Sequence, residues 1–132
     1  MTPRFGIDTS VLLRLLTGEP RGEFQKVVKV LTPLVERDGA EIFASNQVIG
    51  EAYVAVQHHF GIAKDDARAG LISVLTSGLV APLAGHGVLE ALRVRGGCGL
   101  LDRLIAGDYA RVGIETLTLD RKMAALPEVR RL

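Results

Sequence analysis

Apolar residues alternate along the chain between short runs and longer stripes spaced at three and four, which predicts strands and helices in turn. The predicted strands cover residues 5–8, 41–45, 79–83 and 115–119. The predicted helices cover residues 11–16, 23–35, 46–59, 64–76, 88–95, 100–112 and 121–126. This alternation predicts a single α/β domain over 1–132, in three α/β/α layers with helices on both faces of a central, mainly parallel sheet.

Local signals mark where several of these elements begin and end. Ser10 and Asn46 are side chains of the kind that cap helices, and each stands at the start of a predicted helix. Gly78 and Gly113 follow predicted helices, where glycine commonly ends them. Pro82 confines the third predicted strand to an edge or an end of the sheet, because proline lacks the N–H that a central strand donates.

The composition fits one folded domain. Apolar residues make up 48% of the 132 residues, and the mean hydropathy is +0.26, which is enough to form a core. No apolar run approaches the roughly 20 residues that span a bilayer. The short run at 1–9 is broken by Pro3 and Arg4, so a signal peptide is not predicted either. The single cysteine, Cys98, has no partner for an intramolecular disulfide, which favours the reducing cytoplasm.

The charges are balanced, with 16 Lys and Arg against 15 Asp and Glu and a net charge of +1. This balance neither demands nor excludes a nucleic-acid partner, which would need basic patches that flank an acidic cleft. Aromatic residues make up 5% of the chain, and this low content argues against a surface that stacks many bases.

Acidic residues stand at positions where chemistry is common. Asp8 and Asp120 each follow a predicted strand, and ligands bind beyond the carboxyl ends of parallel strands. Glu51 and Asp102 lie within apolar helical runs. Carboxylates that converge repel one another unless a cation is present, and oxygen ligands suit Mg²⁺ or Mn²⁺. Convergence would therefore indicate metal-assisted attack of water on a phosphodiester.

Each acid also has a purely structural interpretation. Asp8 and Asp120 are suited to cap helices that follow strands. Glu51 fits the polar edge of its helix, and Asp102 fits the start of a helix as a partner of the helix dipole. The primary sequence does not decide between these roles and a shared site.

The order of four short motifs resembles the PIN domain family, and more narrowly the VapC-like ribonuclease toxins of toxin–antitoxin pairs. The first is Gly6–Leu12, a strand that ends in Asp followed by a small hydroxyl residue. The second is Asn46–Glu51, which enters a helix. The third is Leu101–Ala106, with Asp before an apolar helix, and the fourth is Thr118–Asp120. Together they span nearly the whole chain.

The resemblance implies a PIN-like fold, a Mg²⁺- or Mn²⁺-dependent endoribonuclease that hydrolyses RNA, a homodimer, and a cognate antitoxin protein as partner. It leaves two alternatives open, which are a non-toxin nuclease in RNA processing and a catalytically silent binding module of the same fold. The residues that it assigns to the catalytic and metal site are Asp8, Glu51, Asp102 and Asp120, with Thr9 or Thr118 holding a carboxylate or water.

Two residues of the third motif region depart from the family pattern. Arg103 follows Asp102 where a small residue is common, and we expect it on an exposed helix face. Asp108 lies on the same helix, where it could join the site or face solvent, and we expect it to face solvent because helix geometry turns it away from Asp102. The sequence does not choose among the basic candidates for RNA contact, which are Arg14, Lys26, Lys29, Arg93, Arg95, Arg103 and Arg121.

Overall fold

A computed structural model describes residues 1–132 as a mixed α/β chain of short strands and longer helices. The strands are β1 (Arg4–Ile7), β2 (Glu41–Ala44), β3 (Ala81–Pro82), β4 (Thr116–Thr118) and β5 (Val129–Arg131). The helices are α1 (Thr9–Thr17), α2 (Arg21–Glu36), α3 (Asn46–His59), α4 (Lys64–Leu75), α5 (Gly87–Arg93) and α6 (Leu100–Arg111). None of these helices combines the length and apolar character that crossing a bilayer requires.

The strands form two separate parallel sheets. The first has the order β1-β2-β3, in which Phe5 pairs with Ile42 and Ala44 pairs with Pro82. The second contains β4 and β5 alone. The predicted parallel α/β character is thus confirmed, whereas the single central sheet of a three-layer arrangement is not.

The C-terminal segment explains why the sheets are separate. Sequence patterning predicted a helix over 121–126, but the structure has a short 3₁₀ turn at Met123–Ala125 followed by β5. The Thr116 N–H donates to the Glu128 carbonyl and the Leu132 N–H donates to the Thr118 carbonyl, so β4 is bonded to β5 rather than to β1. No apolar pattern marks β5, because only one of its three side chains is apolar.

The core lies around α3, which packs against α1, α4 and α6. Its fully buried side chains come from several elements and are Leu12, Ile49, Val56, Leu71, Val80, Leu92 and Leu100. A smaller cluster of Cys98, Ala106 and Met123 lies apart from this core, with Val129 of β5 packed against it. The larger cluster therefore fixes the first sheet and α3, and the smaller one supports the second sheet.

The helix starts near the predicted acids differ from expectation by one or two residues. Asp8, rather than Ser10, caps α1, since its Oδ1 accepts the Val11 N–H at 3.2 Å. Ser45, rather than Asn46, caps α3 through the Val48 N–H at 3.2 Å. An N-cap residue lies just outside the helix, with extended backbone, and both strands end directly before such a residue. Asn46 is therefore free to bond elsewhere.

Leu12 is the apolar anchor of α1, with no exposed surface. We expect Leu12→Ala to lower the free energy of unfolding by about 3 kcal/mol, because it removes buried methyl groups and leaves a cavity. Val30→Ala is the control, since Val30 is 59% exposed on α2 and its truncation should cost about 0.5 kcal/mol or less. Urea denaturation measures both, and equal losses would contradict this description of the core.

Candidate functional site

The turn from β1 into α1 holds Asp8 in a fixed orientation. The Ser10 hydroxyl donates to Asp8 Oδ1 at 2.6 Å, and the Val11 N–H donates to the same atom. These bonds, the Ser10 hydroxyl first, lower the pKa of Asp8 below its ordinary value because they stabilise the charged form. Both contacts use Oδ1. Asp8 is thus an exposed, ionised helix cap, as its structural interpretation predicts, and its second oxygen carries no protein hydrogen bond.

Glu51 is joined to this turn from α3. The Thr9 hydroxyl donates to Glu51 Oε1, and Gln47 Nε2 donates to Oε2 at 3.3 Å. The Thr9 bond first, and then the Gln47 bond, lowers the pKa of Glu51. Since Thr9 directly follows Asp8, this hydrogen bond brings the acids of the first two motifs to the same end of the first sheet.

Asp102 lies half-buried in the first turn of α6, and this turn packs closely on α3. A Cβ atom added at Gly50 would lie 2.8 Å from Leu101 Cδ2, so the bare glycine permits the approach. Glu51 and Asp102 each neighbour one of these two residues in the chain. The helices that carry the acids of the second and third motifs therefore touch beside them.

Arg103 does not project from an open helix face as expected. Its Nε donates to the Cys98 carbonyl at 3.3 Å, and its Nη2 donates to the Gly96 carbonyl at 3.2 Å. The side chain thus folds back over the glycine loop that precedes α6. Arg103 holds the start of the helix on which Asp102 lies.

Asp120 is placed differently from the other acids. Its Oδ1 accepts the Met123 N–H at 2.8 Å, and its own N–H donates to Thr118 Oγ1 at 2.9 Å. Asp120 thus bonds the start of a short 3₁₀ turn, and the longer helix that it was expected to cap is absent. Asp120 follows β4 in the second sheet, so the expectation that Asp8 and Asp120 end strands of one sheet is wrong, because β4 pairs with β5.

The carboxylates supply oxygen donors of the kind that Mg²⁺ and Mn²⁺ prefer. Asp8 and Glu51 fit that role in their ionised state and their fixed orientation. The structure does not gather three or more acidic, histidine or cysteine side chains into a group that could hold a metal ion. The donor chemistry thus fits the cation, whereas the geometry assembles only part of the expected set.

A groove of about 650 Å³ runs between α3 and α6 beside Glu51. Its apolar side chains are Val54, Ala55, Leu101, Leu104 and Ile105, and its acids are Glu51 and Asp108. Asp108 is 48% exposed, as predicted, and its Oδ1 also accepts a hydrogen bond from Asn46 Nδ2 at 2.8 Å. Helix geometry does turn Asp108 away from Asp102, but α3 packs along that other face.

Asn46 was interpreted from the sequence only as a cap, and the structure gives it a different role. It is 8% exposed, and its Nδ2 also donates to the Leu104 carbonyl at 3.2 Å. Its Oδ1 is buried with no partner. One amide thus bonds α3 to α6 at two points. No local pattern indicates this role, because α3 carries other polar residues, such as Gln47 and Glu51, that stay exposed.

We compared the sequence with protein-family models and with curated proteins. No protein-family model matches the chain, and no curated protein is significantly similar to it.

Removing the Thr9 hydroxyl tests the link between the first two motifs. We expect Thr9→Val to raise the pKa of Glu51 toward its ordinary value, because the largest cause of the lowering is lost. Carbon-detected NMR titration of the Glu51 carboxyl measures the shift. Thr17→Val is the control, because the Thr17 hydroxyl donates to the Leu13 carbonyl of the same helix. An unchanged pKa of Glu51 in Thr9→Val would contradict the geometry.

The bond between Asn46 and Asp108 predicts a pH-dependent loss of stability. Asn46→Asp should lower the free energy of unfolding by about 2 kcal/mol at pH 7, since a buried carboxylate then faces Asp108 without a donor. Burial and repulsion raise the pKa of the introduced carboxyl, so the loss should shrink as the pH falls through that raised value.

A compensating change at Asp108 is the matched control for this variant. Adding Asp108→Asn to Asn46→Asp restores one donor and one carboxylate, and stability at pH 7 should return in part, because the Leu104 carbonyl still lacks its donor. Denaturant unfolding at pH 5 and pH 7 measures all three proteins. A pH-independent loss, or no recovery in the double variant, would show that the two side chains do not bond.

Proposed function

We propose that this chain is a divalent-metal-dependent endoribonuclease with a PIN-like fold, whose acidic site includes Asp8, Glu51, Asp102 and Asp120. The observation that carries the proposal is the hydrogen bond from Thr9, which follows Asp8 in the first motif, to Glu51, the acid of the second motif. The packing of the Asp102 turn on α3 supports the inclusion of a third acid. Asp120 enters the proposal on the order of the motifs alone.

The charge state of the site supports a cation rather than acid catalysis by a protonated carboxyl. Hydrogen bonds lower the pKa of both Asp8 and Glu51, so both side chains are negative at neutral pH. Two negative carboxylates at the same end of the first sheet would attract a divalent cation. A general acid would instead need a raised pKa, which neither group has.

The residues of this chain have distinct parts in such a site. Mg²⁺ or Mn²⁺, when bound, would activate water, orient the phosphate and stabilise the leaving oxygen. Asp8 offers the oxygen that Ser10 and the Val11 N–H leave free. Thr9 and Gln47 orient Glu51, and Arg103 anchors the loop before Asp102. The protein thus fixes the donors before the cation arrives.

A toxin of a toxin–antitoxin pair is the narrower form of the proposal, with a homodimer and a protein antitoxin as partners. Val54, Leu101 and Ile105 are exposed along the groove between α3 and α6. Clustered apolar side chains on a surface are typical of protein-binding sites. This surface supports a protein partner without distinguishing an antitoxin from a second copy.

Cleavage of purified RNA tests the enzymatic proposal. We expect the protein to cut total RNA with Mg²⁺ or Mn²⁺ and to be inactive with EDTA. Asp8→Asn should lower the rate by about 100-fold or more, since it removes a ligand charge. Asparagine caps helices as well as aspartate, so this variant should stay folded. Gel analysis of end-labelled RNA measures the rate.

Asp38→Asn is the matched control, because Asp38 pairs with Arg37 at the end of α2, away from the acidic turn. It should cut RNA as the wild type does. Asp120→Asn is the separate test of the fourth acid, and an unchanged rate would remove Asp120 from the site. If the wild type cuts no RNA with either metal, the chain is a binding module rather than a nuclease.

A further inference from the structure

The C-terminal sheet displays a concentration of positive charge. Residues 121–132 include four basic side chains and one acid, Glu128. All four basic residues are exposed. We call the surface formed by three of them, Arg121, Lys122 and Arg131, the C-terminal basic face.

The pairing of β4 with β5 places these residues beside Asp120. Thr118 pairs with Arg131 and Leu117 pairs with Arg130, so the two arginines point to opposite faces of the sheet. Arg131 shares the face of Thr118, whose hydroxyl accepts the Asp120 N–H. Arg121 and Lys122 follow directly after Asp120. The sheet that the sequence did not predict therefore brings distant basic residues to one end.

Most of this charge is not neutralised within the chain. Arg130 pairs with Glu115 at 2.7 Å, whereas Arg121, Lys122 and Arg131 make no ion pair. Five arginines elsewhere each pair with a carboxylate, and they are Arg4, Arg14, Arg37, Arg95 and Arg111. Three unpaired cations in one short segment attract a polyanion, and their N–H groups are free to donate hydrogen bonds to it.

We propose that Arg121, Lys122 and Arg131 bind the phosphodiester backbone of single-stranded RNA. The choice of RNA rests on the proposed function, and the choice of backbone rests on the surface itself. No aromatic residue lies in 121–132, so RNA bases have no ring on which to stack. The basic side chains would therefore contact the phosphates. Binding at this face is then electrostatic and independent of sequence.

RNA affinity without cleavage tests this assignment separately from the enzymatic proposal. The probe is a fluorescein-labelled oligouridylate of 20 nucleotides, titrated by fluorescence anisotropy in EDTA at several NaCl concentrations. The test variant is Arg121→Ala/Lys122→Ala/Arg131→Ala. The matched control is Arg4→Ala/Arg37→Ala/Arg111→Ala, which removes three exposed cations that each already pair with a carboxylate of the chain.

Loss of three phosphate contacts should lower the slope of log affinity against log salt by about 2, since each contact on a single strand contributes about 0.7. The same loss corresponds to an affinity lower by on the order of 100-fold at 0.1 M NaCl. The control should bind as the wild type does. Thermal unfolding followed by circular dichroism shows that both variants are folded.

The other outcomes separate the two proposals. If the wild type binds RNA and the test variant keeps its affinity and salt slope, the basic face is excluded and the nuclease proposal stands. If binding depends on the face but no metal supports cleavage, the nuclease proposal fails and the assignment of the face stands. If the wild type does not bind RNA even at 20 mM NaCl, the assignment of the basic face is overturned.

Discussion

The hydrogen bond from Thr9 to Glu51 is the contact on which the candidate site depends. It joins the turn after β1 to α3, the helix at the centre of the core. Because α3 also packs on α6, the helix that carries Glu51 contacts both the helix that Asp8 caps and the helix that carries Asp102. The surrounding donors lower the pKa of both linked acids, so the same bonds that orient the carboxylates keep them charged.

Hydrophobic periodicity predicted the elements that the core determines. Six predicted helices, from α1 to α6, and four strands are present, with ends shifted by a few residues. The exceptions lie in the last segment, where a 3₁₀ turn and β5 replace the seventh predicted helix. β5 forms through backbone hydrogen bonds at 129–131, and these residues show no apolar pattern in the sequence. Only the structure therefore shows that the strands form two sheets.

The candidate acids could be found from the sequence, but their surroundings could not. Asp8 and Asp120 were both predicted as site residues because each follows a strand. The strands that they follow belong to different sheets. The roles of Asn46 and Asp108 depend on a contact between residues 62 positions apart. Such a contact follows from how α3 and α6 cross, which no local pattern encodes.

Gly50 lacks a Cβ atom at the point where α3 contacts α6. The start of α6 can pack closely on α3 because position 50 is glycine, which has no side chain to keep the helices apart. A methyl group there would act as a spacer between the two helices unless Leu101 swung aside. The close approach of Leu101 to α3 therefore depends on a residue that has no side chain.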